Sequence, residues 1–210
     1  MKALWLACVV ALLPQFGCAL LSKSDAFVAR YFTPEGTPVR ADPAAPNGLE
    51  LRLGRVNSAA YIKDKIVFRD SPYEIGYYEE KRWTENPEVY VRRALQRALF
   101  DRRGIRQIMY GSGTTLDVDV IAFEEVRAPK HIGRVQLAYT MVDDRVVRFA
   151  RSVAVERPIA NASGEASADA TVEALSAALV DAVDALADQA AAELHTEESG
   201  PALTGGAALR

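Results

Sequence analysis

Few residues in this chain have the types and spacing that chemistry demands. Of the 210 residues only two are His and two are Cys. His131 follows Ala128-Pro129-Lys130 in a turn-like stretch, where it reads as a solvated turn residue. His195 closes a helical pattern near the C-terminus, where its charge would complement the helix dipole. Metal centres need His, Cys or carboxylates converging at fixed spacing, and the sequence holds no such motif. Neither a metal nor any other cofactor is expected. Asp117 and Asp119 share one face of an alternating strand, a pattern typical of a solvated edge. Gly111-Ser112-Gly113 has no following Lys or helix, so it makes no phosphate cradle. No strand-turn-helix sequence carries an exposed Ser nucleophile. No catalytic residue is assigned.

Aromatic chemistry is better represented. Tyr73, Tyr77, Tyr78, Trp83 and Tyr90 cluster within eighteen residues, with Arg82 among them. Three readings are open. The rings cover a sheet–helix junction, they anchor a protein interface as Tyr, Trp and Arg often do, or they line an apolar ligand site.

Cys18 is the other reactive candidate. Met1-Lys2 is followed by an apolar run from Ala3 to Leu13, too short for the ~20 residues of a membrane span and typical of a signal peptide over residues 1–17. Gly17-Cys18 just past it resembles the lipobox of bacterial lipoproteins, although Gln15 and Phe16 replace the usual Leu and small residue. In that pattern Cys18 takes a diacylglyceryl group and the chain is anchored rather than spanning. Ordinary cleavage after Ala19 or Ala26 is the alternative.

The rest of the chain must position these groups. Half of the residues are apolar, enough for a core, and the net charge is −3. Such mild acidity is poor for nucleic acid, which needs a basic face to replace counterions. Residues 18–48 form a breaker-rich anchor and tether, with a possible short strand at Phe27–Phe32. Leu49–Val56 alternates with period two and predicts a half-buried strand. Ile66–Arg69 and Tyr73–Tyr78 are two more strands. Glu79, Glu80, Lys81 and Arg82 read as a solvated turn. Asn86 and Pro87 then start a helix with Val91, Leu95 and Ala98 on one face, and Gly104 stops it.

Thr115–Val126 alternates cleanly over its first half only. Gly133–Val142 and Arg145–Val155 alternate around Asp143-Asp144 and predict an antiparallel meander with one polar face. A helix from about Ser167 to Leu194 carries the stripe Val172, Leu175, Leu179, Val183, Leu186 and Ala190. That stripe packs on the sheet or forms an oligomer seam. Residues 195–210 resemble a disordered tail. Strands, helix, strands, helix predict an α+β domain over 49–194: a mostly antiparallel sheet with two main helices on one face.

Taken together, the leader ending at Cys18, the Pro-rich tether, Leu49–Val56, the Tyr-Tyr…Arg-Trp…Pro passage into the central helix and the Ala-rich last helix resemble one family. It is the ABC-type transport auxiliary lipoprotein family, the PqiC-type lipoproteins. The resemblance covers residues 18–194. It implies an outer-membrane-anchored periplasmic lipoprotein that accompanies an Mce-type ABC transporter of phospholipid or other hydrophobic substrates, with ATP hydrolysis in a separate subunit. By the same resemblance Tyr78, Arg82, Trp83, Pro87 and Tyr90 shape a docking surface for the Mce subunit or for neighbouring copies. The competing expectations are an envelope or lipopolysaccharide-assembly scaffold and a small secreted hydrolase.

Overall fold

A computed structural model describes residues 28–34, 44–143, 146–160 and 168–198. The leader, Cys18, most of the tether and Asp144 lie outside these residues. The strands are β1 (Arg30–Phe32), β2 (Glu50–Ser58), β3 (Lys65–Ser71), β4 (Glu74–Trp83), β5 (Arg106–Gln107), β6 (Thr114–Val126), β7 (Ile132–Asp143) and β8 (Val146–Pro158). The helices are α1 (Pro87–Gln96), extended by a π-helical turn over Arg97–Asp101, and α2 (Ala168–Glu198). The fold is α+β, as the order of patterns predicts.

β6 is the spine of the sheet. One of its edges pairs antiparallel with β7 along its whole length, and β7 pairs antiparallel with β8. The other edge is shared. β2 runs parallel beside the first half of β6, and β3 runs parallel beside the second half. β4 and then β1 extend the sheet beyond β3. The long β6–β7–β8 meander makes most of the paired length antiparallel, while the shorter β2 and β3 contacts with β6 are parallel.

Both helices cover one face, and a single core fills the space between. Leu51 of β2, Leu116 of β6, and Leu137 and Met141 of β7 point into it, as strand alternation requires. Leu95 and Leu99 meet them from α1 and its π turn, and Leu175, Leu179, Val183 and Leu186 from α2. The α2 stripe is therefore spent on β7 and β8 and is not free to be an oligomer seam. Two glycines permit the geometry. Gly104 has φ +65°, the left-handed conformation that ends the helical run. At Gly133 a Cβ would lie 3.0 Å from the backbone nitrogen of Leu175, so α2 approaches β7 closely there.

Three local departures from regularity matter below. Between its pairings with Lys65 and Val67, β4 runs from Arg82 to Tyr77, so it bulges where the sequence suggested a solvated turn. Glu79–Arg82 are strand residues. In β6 the register shifts between Val120 and Ala122. This bulge turns the alternation over, which is why the sequence pattern fades there. Finally, α2 continues through His195 to Glu198, past the expected end of the domain. Two arginines just after the π-helical turn tie the helices together outside the core. Arg103 reaches Asp188 at 2.6 Å and the Asp184 carbonyl at 3.0 Å, and Arg102 pairs with Asp184.

Candidate functional site

The Arg-Trp…Pro…Tyr passage is a junction built from the inside. Trp83, the last residue of β4, is 2 % exposed and Tyr90 is fully buried. The Trp83 ring meets Phe123 edge-on at 5.3 Å and Tyr90 at 6.4 Å. Such pairs add about 0.5–1.5 kcal/mol beyond the area they bury. The Trp83 backbone N–H donates to the Asp64 carbonyl at 2.6 Å, which closes β4 against the loop before β3. The Tyr90 hydroxyl accepts the Glu85 N–H at 2.8 Å and lies 2.6 Å from the Thr84 hydroxyl. It thereby holds the turn that leads into α1. Pro87 is buried at the first helical turn, and Asn86 precedes it in extended conformation without a side-chain cap.

Trp83, Pro87 and Tyr90 therefore lie beneath the surface and cannot themselves present a docking face. Burial of large rings between strand and helix explains their spacing more simply. Of the five candidate docking residues, Tyr78 and Arg82 remain half-exposed. Arg82 donates to Asp64 at 2.5 Å. The exposed rings nearby are others: Tyr31 at 64 %, Tyr77 at 41 % and Tyr73 at 97 %. Tyr31 stands opposite Arg82 in the β1–β4 register.

Tyr78 belongs to a polar cluster that the sequence did not single out. Its hydroxyl donates to Glu125 Oε2 at 2.7 Å. Glu125 is 1 % exposed and also receives Thr171 Oγ1 at 3.3 Å and Arg127 Nε at 3.3 Å, with His131 Nε2 at 2.7 Å. His131 is thus tied to a buried carboxylate and is not a solvated turn residue. Burial opposes ionisation of Glu125, but hydrogen bonds from Tyr78 and His131 and the Arg127 charge outweigh it, and the carboxyl titrates below its ordinary range. Burial first, and then the adjoining Glu125, push the Tyr78 hydroxyl up to about 12, against the opposing pull of Arg127. Above the cluster Arg127 lies 3.6 Å from the centre of the Phe68 ring, and Lys81 lies 3.6 Å from that of Tyr78.

The neighbouring Glu124 points to the opposite face and is fully buried. Arg69 grips it with Nε at 3.0 Å and Nη2 at 3.1 Å, and Arg134 adds a third bond. Asp117 has a comparable structural task. It accepts the Arg55 N–H at 2.7 Å where β2 bulges beside Gly54, on a central strand rather than an edge. These carboxylates are all occupied by internal partners. Among the described residues no group of His, Cys, Asp and Glu converges as a metal site would require.

A family model described as ABC-type transport auxiliary lipoprotein component matches residues 32–191, from the end of β1 into the last turns of α2. The chain belongs to that family. The auxiliary lipoprotein is similar in fold to a Xanthomonas campestris protein of the DUF330 group, with TM-score 0.68 and 21 % identity over 81 % of this chain and 100 % of that one. A second solved structure, titled only as an uncharacterized protein, gives TM-score 0.58 at 14 % identity, covering 78 % of this chain and 99 % of the other. A hypothetical protein of Chlamydia trachomatis gives 0.50 at 6 % identity, over 73 % of this chain and 99 % of its own. At such identities the likeness concerns the fold alone. No curated protein matches the chain.

As a member of this family the auxiliary lipoprotein is an accessory component of an ABC transport system in the cell envelope. Its Tyr-Tyr and Arg-Trp motifs hold the β4–α1 junction and the Glu125 cluster together. Tyr78 stands out in the sequence but Glu124 and Glu125 do not, although Arg69, Arg127 and Arg134 near strand ends are the signal that points to them.

Proposed function

We propose that this auxiliary lipoprotein is a periplasm-facing docking component of an Mce-type ABC system that moves phospholipid or another hydrophobic substrate. Cys18 anchors it in the outer membrane, and it acts by binding rather than by catalysis. The observation that carries this reading is the family match, which runs through the whole strand-helix-strand-helix body and not through one motif. The buried carboxylates Glu124 and Glu125 are engaged by Arg69 and Tyr78 of neighbouring strands, the structural use to which such ion-pair networks are also put.

The docking surface in this reading is the β1–β4 margin. Tyr31 and Tyr77 are exposed there, and Tyr78 and Arg82 are half-exposed beside them. Exposed Tyr with adjacent Arg has the composition of interface anchors. Trp83, Pro87 and Tyr90 contribute by fixing the backbone from below. The test is a photo-crosslinking residue placed at Tyr31 or Tyr77, with Val180 on the exposed side of α2 as comparison. Crosslinks from Tyr31 and Tyr77 to an Mce-domain subunit, absent from Val180, are the expected result. Crosslinking from Val180 alone would place the docking surface elsewhere.

A further inference from the structure

The face of the sheet away from the helices carries a pocket of about 450 Å³ at the end where β6 turns into β7. That size suits a small ligand or part of a larger one. Val126 and Ile132, cross-strand partners in the β6–β7 register, form its floor with Pro72 beside them. Arg69, Arg134 and Lys130 supply positive charge at its lining. The two arginines are held in place by buried Glu124 from below, so their guanidinium groups are fixed rather than free to swing.

Not all of this charge is consumed. Glu124 is one carboxylate against two guanidinium groups. Arg69 spends Nε and Nη2 on Glu124 and Nη1 on the Pro72 carbonyl. Arg134 gives only Nη2 to Glu124, and its buried Nε finds no partner among the described residues. Lys130 is exposed and has no ion pair among the described residues. Glu156, opposite Arg134 in the β7–β8 register, is exposed at the rim and pairs with neither. The pocket thus combines surplus fixed positive charge with an apolar floor.

We propose that this pocket binds the anionic end of an amphiphile, with a phosphate or carboxylate at Lys130 and Arg134 and the adjoining carbons against Val126 and Ile132. The site is inferred from its lining and does not rest on the transport reading. The anion alone could come from free phosphate, so the apolar part is what sets the proposed ligand class apart.

The test is calorimetric titration of the full chain with hexyl phosphate, inorganic phosphate and 1-hexanol, with backbone amide shifts of residues 126–134 as the locator. Burying about two methylene groups favours hexyl phosphate over inorganic phosphate by roughly tenfold. Hexyl phosphate should also bind more tightly than 1-hexanol and shift those amides. Lys130→Glu should weaken hexyl phosphate several-fold, and Glu156→Gln should tighten it, both at unchanged melting temperature because both side chains are exposed. Equal affinity for inorganic phosphate and hexyl phosphate would overturn the amphiphile assignment. Indifference to both charge changes, or shifts confined to other residues, would overturn the site.

Discussion

Trp83 closes β4 and is 2 % exposed. Its neighbours Arg82, Pro87 and Tyr90 mark a structural passage in the sequence, and the family resemblance suggests a surface. The ring instead packs on Phe123 and Tyr90 in the core. Trp83→Ala should therefore cost about 3–5 kcal/mol of stability, as truncation of large buried rings does, read by urea denaturation. Tyr31→Ala, on an exposed ring, should leave the midpoint nearly unchanged. Glu125 was illegible for a different reason. Its burial depends on the bulge at Val120–Ala122, which no local pattern announces. The pH dependence follows from its depressed titration. The folded carboxyl ionises more readily than the unfolded one, so its stabilisation is present above the ordinary Glu value of 4.5 and fades as pH falls through the lower folded value. Glu125→Gln should lower stability at pH 7 and flatten the acid decline below the ordinary Glu value, measured by thermal melts from pH 7 downward. An equally steep acid decline in the variant would show that other carboxylates control it.

At the scale of elements, alternation located β2, β6, β7 and β8 and helical spacing located α1 and α2, because each buries one face. Where two neighbours disturb the ladder, the pattern lost its meaning. The charged run Glu79-Glu80-Lys81-Arg82 has the look of a turn, yet β4 bulges there and remains paired to β3 and β1. The parallel placement of β2 and β3 along one edge of β6 was also invisible, since it depends on contacts between segments some sixty residues apart. The approach of α2 to β7 is set by the absence of a side chain at Gly133. Gly133→Ala should push the helix from the sheet near Leu175 and cost about 1–3 kcal/mol, with the loss visible in denaturation and in faster amide exchange in the first turns of α2. Unchanged exchange there would mean the helix start yields without cost.

For the whole molecule, segregated strands and helices gave the α+β class, and the family match gives the accessory place in an ABC transport system. The anchor rests on the leader sequence, since Cys18 lies outside the described residues. Lipidation predicts that the N-terminal peptide of the membrane fraction starts at Cys18 and carries an acyl-glyceryl mass. Cys18→Ala should release the protein to the soluble fraction. An unmodified start at Leu20 or Phe27 would remove the anchor and leave the folded body intact. A docking role makes a stronger demand than anchoring, because it requires a particular partner. The most direct measurement is affinity purification of the tagged native protein from solubilised envelope, followed by identification of what comes with it. An Mce-domain subunit is the expected companion, its recovery reduced when Tyr31 and Tyr77 are both changed to Ala. Reproducible recovery of an outer-membrane assembly complex with no transporter subunit would contradict the docking role.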